Sequence, residues 1–368
     1  MPITIKMKSL LTTLDKYILK KFLGTFFLSI LLIVLVVIVF DISEKIEDFL
    51  KPDITIHEII FDYYINFIPY FVNLFSPLFT FIAVIFFTSR MAARTEIVAI
   101  LCSGVSFNRL LRPYLIGATI IAFTSLFLNM HVIPKANKAR LGFMLKYIDN
   151  HFIYSGRDIH RQVAPGVFVY MESYNNEANI GTKFTIEKLN GRTLLYKLSA
   201  REIRWDSIKS RWSIIDYSKR YINGKKEILV KGAKIDTTLN LNPKDFSRAE
   251  NRMESMTSSE LNSFIENEKM KGSNDVPLYE IEKNKRIAFP FATFILTLIG
   301  VSVSSRKTRG GMGRHLGVGL ALSFIFIFFM QWFTSYAASG VLPAYIAVWI
   351  PNAVFAVIAI LMLRKAPK

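Results

Sequence analysis

The side chains able to do covalent or metal chemistry are few in this 368-residue chain, and their spacing does not suit it. Five histidines, His57, His131, His151, His160 and His315, are scattered without an HExxH pair, and Cys102 is the single cysteine. Neither a zinc site nor an internal disulfide follows from such a set. The stretch Gly310-Gly311-Met312-Gly313-Arg314-His315 has the glycines of a phosphate loop but no strand before it and no Gly-Lys-Ser/Thr ending, so it reads as a flexible turn. A Gly-x-Ser-x-Gly nucleophile elbow is missing as well. The sequence predicts no catalytic residue, no metal and no cofactor held by this chain.

One segment carries polar chemistry of another kind. From Met91 to Leu101 the residues favour a helix, Gly104 suits the position just past its end, and Ser106 can cap a new helix over residues 107–111. An apolar helix with one acid, Glu96, among basic neighbours could lie in a groove of a soluble partner and pair with a cation there. Glu96 could equally be solvated, or paired with the nearby Arg94, on a helix lying in the membrane interface. Residue types alone leave both readings open.

Membrane helices must position this segment. The chain is 52% apolar with 31 Phe, and its mean hydropathy of +0.33 exceeds what a soluble core needs. Six windows, residues 22–40, 67–89, 113–133, 287–304, 316–336 and 341–363, are long and apolar enough to span a bilayer core. The first is too long for a signal peptide and no small-residue cleavage site follows it, which predicts a retained span. Pro69, Pro77, Pro290 and Pro351 are expected kinks. None of the windows contains Asp, Glu, Lys or Arg. Proton or sodium coupling needs such groups near the midplane, so ion-driven transport is disfavoured, and any energy must come from a separate subunit.

Orientation follows from the 46 Lys and Arg, which outnumber the acids by 18. On a membrane protein this excess points to topology and anionic lipid rather than nucleic acid. Lys6, Lys8, Lys16, Lys20 and Lys21 precede the first window; Arg90, Arg94, Arg109 and Arg112 join the second to the third; Arg306, Lys307, Arg309 and Arg314 join the fourth to the fifth. The alternate connection, residues 41–66, is acidic. Both termini are therefore expected in the cytoplasm.

Between the third and fourth windows the text changes to short alternating runs: 166–171, 183–189, 194–198, 202–205 and 211–217, with Asn190-Gly191 and Asn223-Gly224 as hairpin turns. An antiparallel sheet is expected on the outer side, as a sandwich or jelly roll, followed by a helix from Ser255 to about Lys271 capped by Thr257 or Ser258. The resulting fold class is a six-span α-helical membrane protein, three spans plus three, with an inserted all-β domain. Expected boundaries are 1–133, 134–254 (β), 255–286 (helical connector) and 287–368.

Four motifs in order resemble the LptF/LptG family of lipopolysaccharide-export permeases, also called YjgP/YjgQ. They are Leu14-Asp15-Lys16-Tyr17-Ile18; Arg94-Thr95-Glu96-Ile97-Val98-Ala99 running to Ser103-Gly104-Val105-Ser106; Ser305-Arg306-Lys307-Thr308-Arg309-Gly310-Gly311; and Gly340-Val341-Leu342-Pro343 with Trp349-Ile350-Pro351-Asn352. The resemblance implies half of an ATP-driven ABC exporter in the inner membrane of a Gram-negative bacterium. Its implied partners are a homodimeric ABC ATPase carrying ATP and Mg, a paralogous six-span permease, a single-span periplasmic jelly-roll protein, the periplasmic bridge, and lipopolysaccharide itself. It implies that residues 92–103 are the coupling helix, with Arg94, Glu96, Ile100, Gly104 and Arg109 as the ATPase-coupling set, and so favours docking for Glu96. Phe26, Phe27, Lys45, Phe71, Phe324 and Phe328 are candidates to line a lipid cavity. Some relatives bear phosphate-contacting lysines at the outer end of the first span; here that region holds Asp41, Glu44 and Glu47, with Lys45 the nearby cation. The alternative from another class is a membrane-anchored scaffold whose β-domain binds envelope proteins without transport.

Overall fold

The computed structural model describes residues 11–148, 157–176, 178–191, 193–223, 226–243, 253–273, 275–306 and 311–365. The chain divides into two compact units, Met1–Arg140 with Glu280–Lys368, and Leu141–Tyr279. Six helices are long and apolar enough to cross a membrane. They are α1 (Thr13–Phe49), α2 (Ile56–Ala93), α4 (Phe107–Tyr147), α6 (Val276–Ser304), α7 (Gly311–Ala338) and α8 (Ala344–Arg364); the short α3 (Glu96–Cys102) lies between α2 and α4. Helix α5 (Ser258–Met270) belongs to the insert.

The helices overrun the apolar windows. Residues 41–49, expected in a connection, continue α1, because Glu44, Lys45 and Glu47 are sound helix formers and Asp41 meets Lys45 one turn on. The α1–α2 connection thus shrinks to residues 50–55, and α2 opens with a Thr55–Glu58 capping box.

Within the membrane unit, α1 places Ile18, Phe22, Phe26, Ile30 and Val34 in the core, a strict four-residue spacing that turns one stripe inward. This stripe packs with Val84, Phe87 and Met91 of α2 and Leu110, Tyr114 and Ile121 of α4. Gly117 permits the close approach of α4 to α1: a Cβ there would lie 2.5 Å from the Phe22 ring. A second core joins Phe81 and Ile85 of α2 to Leu296 and Ile299 of α6, Phe326 of α7 and Phe355 of α8. Pro290 cannot bond the Arg286 carbonyl one turn before it; Asn129 of α4 donates to that oxygen at 3.5 Å, and Asn352 of α8 donates to the Ala288 carbonyl at 2.8 Å.

The insert is a six-stranded antiparallel sheet: β1 (Arg157–Ala164), β2 (Val167–Asn175), β3 (Ile180–Asn190), β4 (Thr193–Asp206), β5 (Arg211–Asn223) and β6 (Lys226–Thr237), each paired with the next. The expected runs 194–198 and 202–205 are one strand, β4, since nothing between them breaks the ladder. Gly191 turns the β3–β4 hairpin with φ 58°, whereas Gly224 of the other expected turn lies outside the described residues. The sheet wraps Phe184, Leu198, Ile203 and fully buried Trp212, whose indole N–H donates to the Leu241 carbonyl at 2.7 Å. Ser213 donates to Asp236 at 2.7 Å, a bond that, with Lys234 nearby, holds this carboxyl below its usual range. The edge of β1 is covered: Gln162 N–H donates to the Lys271 carbonyl just past α5, and buried Arg161 pairs with Glu268 at 3.6 Å. Thr257 caps α5 in a box with Glu260, one of the two expected caps. The other edge, β6, is exposed and blunted by Lys226, Lys231 and Lys234.

If close packing at Gly117 holds α1 on α4, Gly117→Ala must displace Phe22. A loss of about 1–3 kcal/mol is expected, in line with overpacked cores, read as a lower thermal midpoint of the detergent-solubilised chain.

Candidate functional site

Two left-handed residues isolate α3 from its neighbours: Thr95 has φ 62° and Gly104 has φ 86°. The helix expected from Met91 therefore starts later. Met91, Ala92 and Ala93 complete α2, where Met91 and Ala92 are buried, and the turn at Thr95 resets the chain so that α3 begins at Glu96. A β-branched residue in this conformation is strained by about 1–2 kcal/mol. Such strain persists only where surrounding contacts impose it.

Those contacts are visible on both sides of α3. Ile97 is 1% exposed in the α1–α2–α4 core, with Ile100 and Leu101 against the same cluster, while Val98 and Cys102 face outward. Glu96 accepts a hydrogen bond from the Tyr17 hydroxyl at 3.2 Å and lies 4.0 Å from Arg94. Past Gly104, Ser106 caps α4 by accepting from the Arg109 N–H. The Arg109 guanidinium donates to both Asp15 oxygens, each at 2.6 Å.

Asp15 is the centre of this arrangement. Its carboxylate also accepts from the Thr12 N–H and the Thr12 hydroxyl, both at 2.9 Å, so three donors converge on Oδ2 and one on Oδ1. The group is 2% exposed. An acid is well placed at the start of α1, and it neutralises an arginine that sits unfavourably at the start of α4. Sequence reasoning assigned no role to Asp15 or Tyr17. The available signal was the spacing Thr12-x-x-Asp15 ahead of an apolar run, a capping box, with Tyr17 two residues on.

The structure thus brings Arg94, Glu96, Ile100, Gly104 and Arg109 to one elbow, with Arg109 turned inward to Asp15. The cavity candidates are not gathered in this way. Phe26 is 5% exposed and packs into the core through its place in the four-residue stripe of α1. Phe27 on α1 and Phe324 and Phe328 on α7 are more than 60% exposed, on the two spans whose apolar windows are least buried. Phe71 is half-buried and stacks on Phe67 at 4.1 Å. Lys45 pairs with Asp41, the residue one turn before it, and stands 5.6 Å from the Tyr63 ring. Asp41 in turn accepts from the Tyr63 and Tyr64 hydroxyls, both at 3.1 Å. A wide π turn over Ile59–Tyr64 lets these consecutive tyrosines reach one carboxylate.

Residues 16–365 match the model of the family described as lipopolysaccharide export system permease LptF/LptG. The chain belongs to this family. It is accordingly an inner-membrane transport permease rather than an enzyme. Compared one by one with curated proteins, the chain matches none. In the permease, the motif around Glu96 forms the elbow, and the motif at residues 14–18 supplies the side chains that hold it.

A backbone requirement at the elbow is directly testable. No atom lies within 4 Å of a Cβ at Gly104, so Gly104→Ala adds only the left-handed penalty, about 1 kcal/mol, whereas Gly104→Asn should be closer to neutral. Thermal melts of the two purified variants check the order.

Proposed function

We propose that this permease is one subunit of an ATP-driven exporter. It would draw lipopolysaccharide from the inner membrane and pass it to its β-domain and onward along a periplasmic bridge to the outer membrane. Hydrolysis of ATP with Mg would take place on a homodimeric ATPase docked at the cytoplasmic face, and a paralogous six-span permease would complete the membrane part.

The observation that carries this reading is α3: a short helix with one face in the α1–α2–α4 core and the other, with Val98 and Cys102, open. A helix of this build suits a groove on a soluble partner, and Glu96 and Arg94 border its open face with opposite charges. Charge-free spans agree with an energy source outside the chain. The basic flanks support a reading in which the elbow and both termini lie in the cytoplasm and the β-domain in the periplasm.

The test is a charge reversal. Glu96→Lys is expected to leave the permease folded in the membrane while abolishing co-purification with the ATPase; undiminished association and export would sink the reading. Cys102 gives a second readout. A membrane-impermeant maleimide should label it in inside-out vesicles but not in intact cells, and the bound ATPase should slow that labelling.

A further inference from the structure

We propose that Asp15 and Tyr17 are positioning residues for the transport step: they fasten the elbow carrying α3 to the first turn of α1, so that displacement of α3 is delivered to the first span through side-chain bonds. This rests on the ATP-driven reading above.

The backbone by itself is poorly suited to that task. Helix α3 has seven residues, and left-handed residues at Thr95 and Gly104 flank it. Each is a change of chain direction, so α3 forms a separate piece between α2 and α4 rather than an extension of either. Two polar links bracket that piece. Tyr17 reaches Glu96, the first residue of α3, and Asp15 reaches Arg109, five residues beyond Gly104. Both originate within three residues of one another on α1, and Thr12 of the same turn adds a third contact to Arg109 at 3.2 Å. The elbow is therefore tied at both ends to the same turn of the same helix.

Helix α1 is a span on which such a tie has effect. Its inner stripe, from Ile18 to Val34, lies in the core, but Phe27, Leu28, Leu31, Leu32, Val39 and Phe40 are each more than half exposed, and only 22% of its apolar window is buried. A helix held along one stripe can rotate or tilt at lower cost than α2 or α6, whose windows are 56% and 61% buried. The Asp15–Arg109 pair is bidentate, so it resists rotation as well as separation. The Tyr17 hydroxyl supplies a weaker second point that sets direction.

The experiment uses the complete exporter, permease pair with ATPase, in vesicles containing lipopolysaccharide, and measures lipid released per ATP hydrolysed. Asp15→Asn should assemble with the ATPase in normal ratio and hydrolyse ATP, yet release roughly tenfold less lipid per ATP, the scale of one lost charge-assisted bond. Tyr17→Phe, which removes a single hydroxyl, should lower the ratio by about threefold, as for one neutral hydrogen bond. Combining Asp15→Arg with Arg109→Asp should restore most of the ratio by rebuilding the pair in reverse. An unchanged ratio in assembled Asp15→Asn and Tyr17→Phe complexes overturns the proposal. So does loss of assembly in both, since that makes these residues structural. Failure of the unmodified complex to release lipid on ATP addition rejects the underlying reading instead.

Discussion

Lipid offers no hydrogen bonds, and most of the membrane unit follows from that constraint. Several hydroxyls in the spans turn back on their own helix: Thr80 to the Ser76 carbonyl, Thr124 to Ile120, Ser302 to Leu298, Thr334 to Met330. Prolines are tolerated where a neighbour replaces the missing donor, as Asn129 does at the carbonyl freed by Pro290. Amides buried between helices find each other; Asn73 donates to Asn129 at 2.8 Å and accepts from Ser125 at 2.6 Å. Because such interhelical polar links are few, each helps to fix how its helices are set together.

The same constraint separates the permease's chemistry from its membrane interior. These charged groups sit at the helix ends, where specific partners hold them: Asp15 by Thr12 and Arg109 at one end of α1, Asp41 by Lys45, Tyr63 and Tyr64 towards the other. Between them α1 presents an apolar stripe to the core and an apolar face to its surroundings. A span of this kind presents no charge to lipid. In the proposed exporter, free energy for transport arrives mechanically, and the elbow at α3 is the feature proposed to receive it. The strained turn at Thr95 belongs to that arrangement, since it makes α3 a distinct piece rather than the end of α2.

Much of this was legible in the residues. Windows without charge marked six spans; alternating runs marked the sheet; Thr257 or Ser258 marked the α5 cap; Gly104 and Ser106 marked the break before α4. These signals are local, set by periodicity, capping chemistry and backbone freedom, so they survive without knowledge of what lies across the fold. Boundaries were less legible. The acidic run after residue 40 looked like a loop because hydropathy stops there, while helix propensity and the Asp41–Lys45 pairing carry the helix on.

What the sequence by itself determined, then, is the membrane class, the three-plus-three order around a β-domain, the family, and the position of the segment around Glu96. The tertiary structure decided the partners of its charges. Arg109 is separated from Asp15 by 94 residues and Glu96 from Tyr17 by 79, and no local spacing relates them. It likewise decided that Phe26 is buried while its neighbour Phe27 is exposed, and that Lys45 is held by Asp41 and set against the Tyr63 ring. Side-chain partners across a helical bundle depend on rotation and approach, and these are set by packing details such as the gap at Gly117 that a linear pattern does not contain.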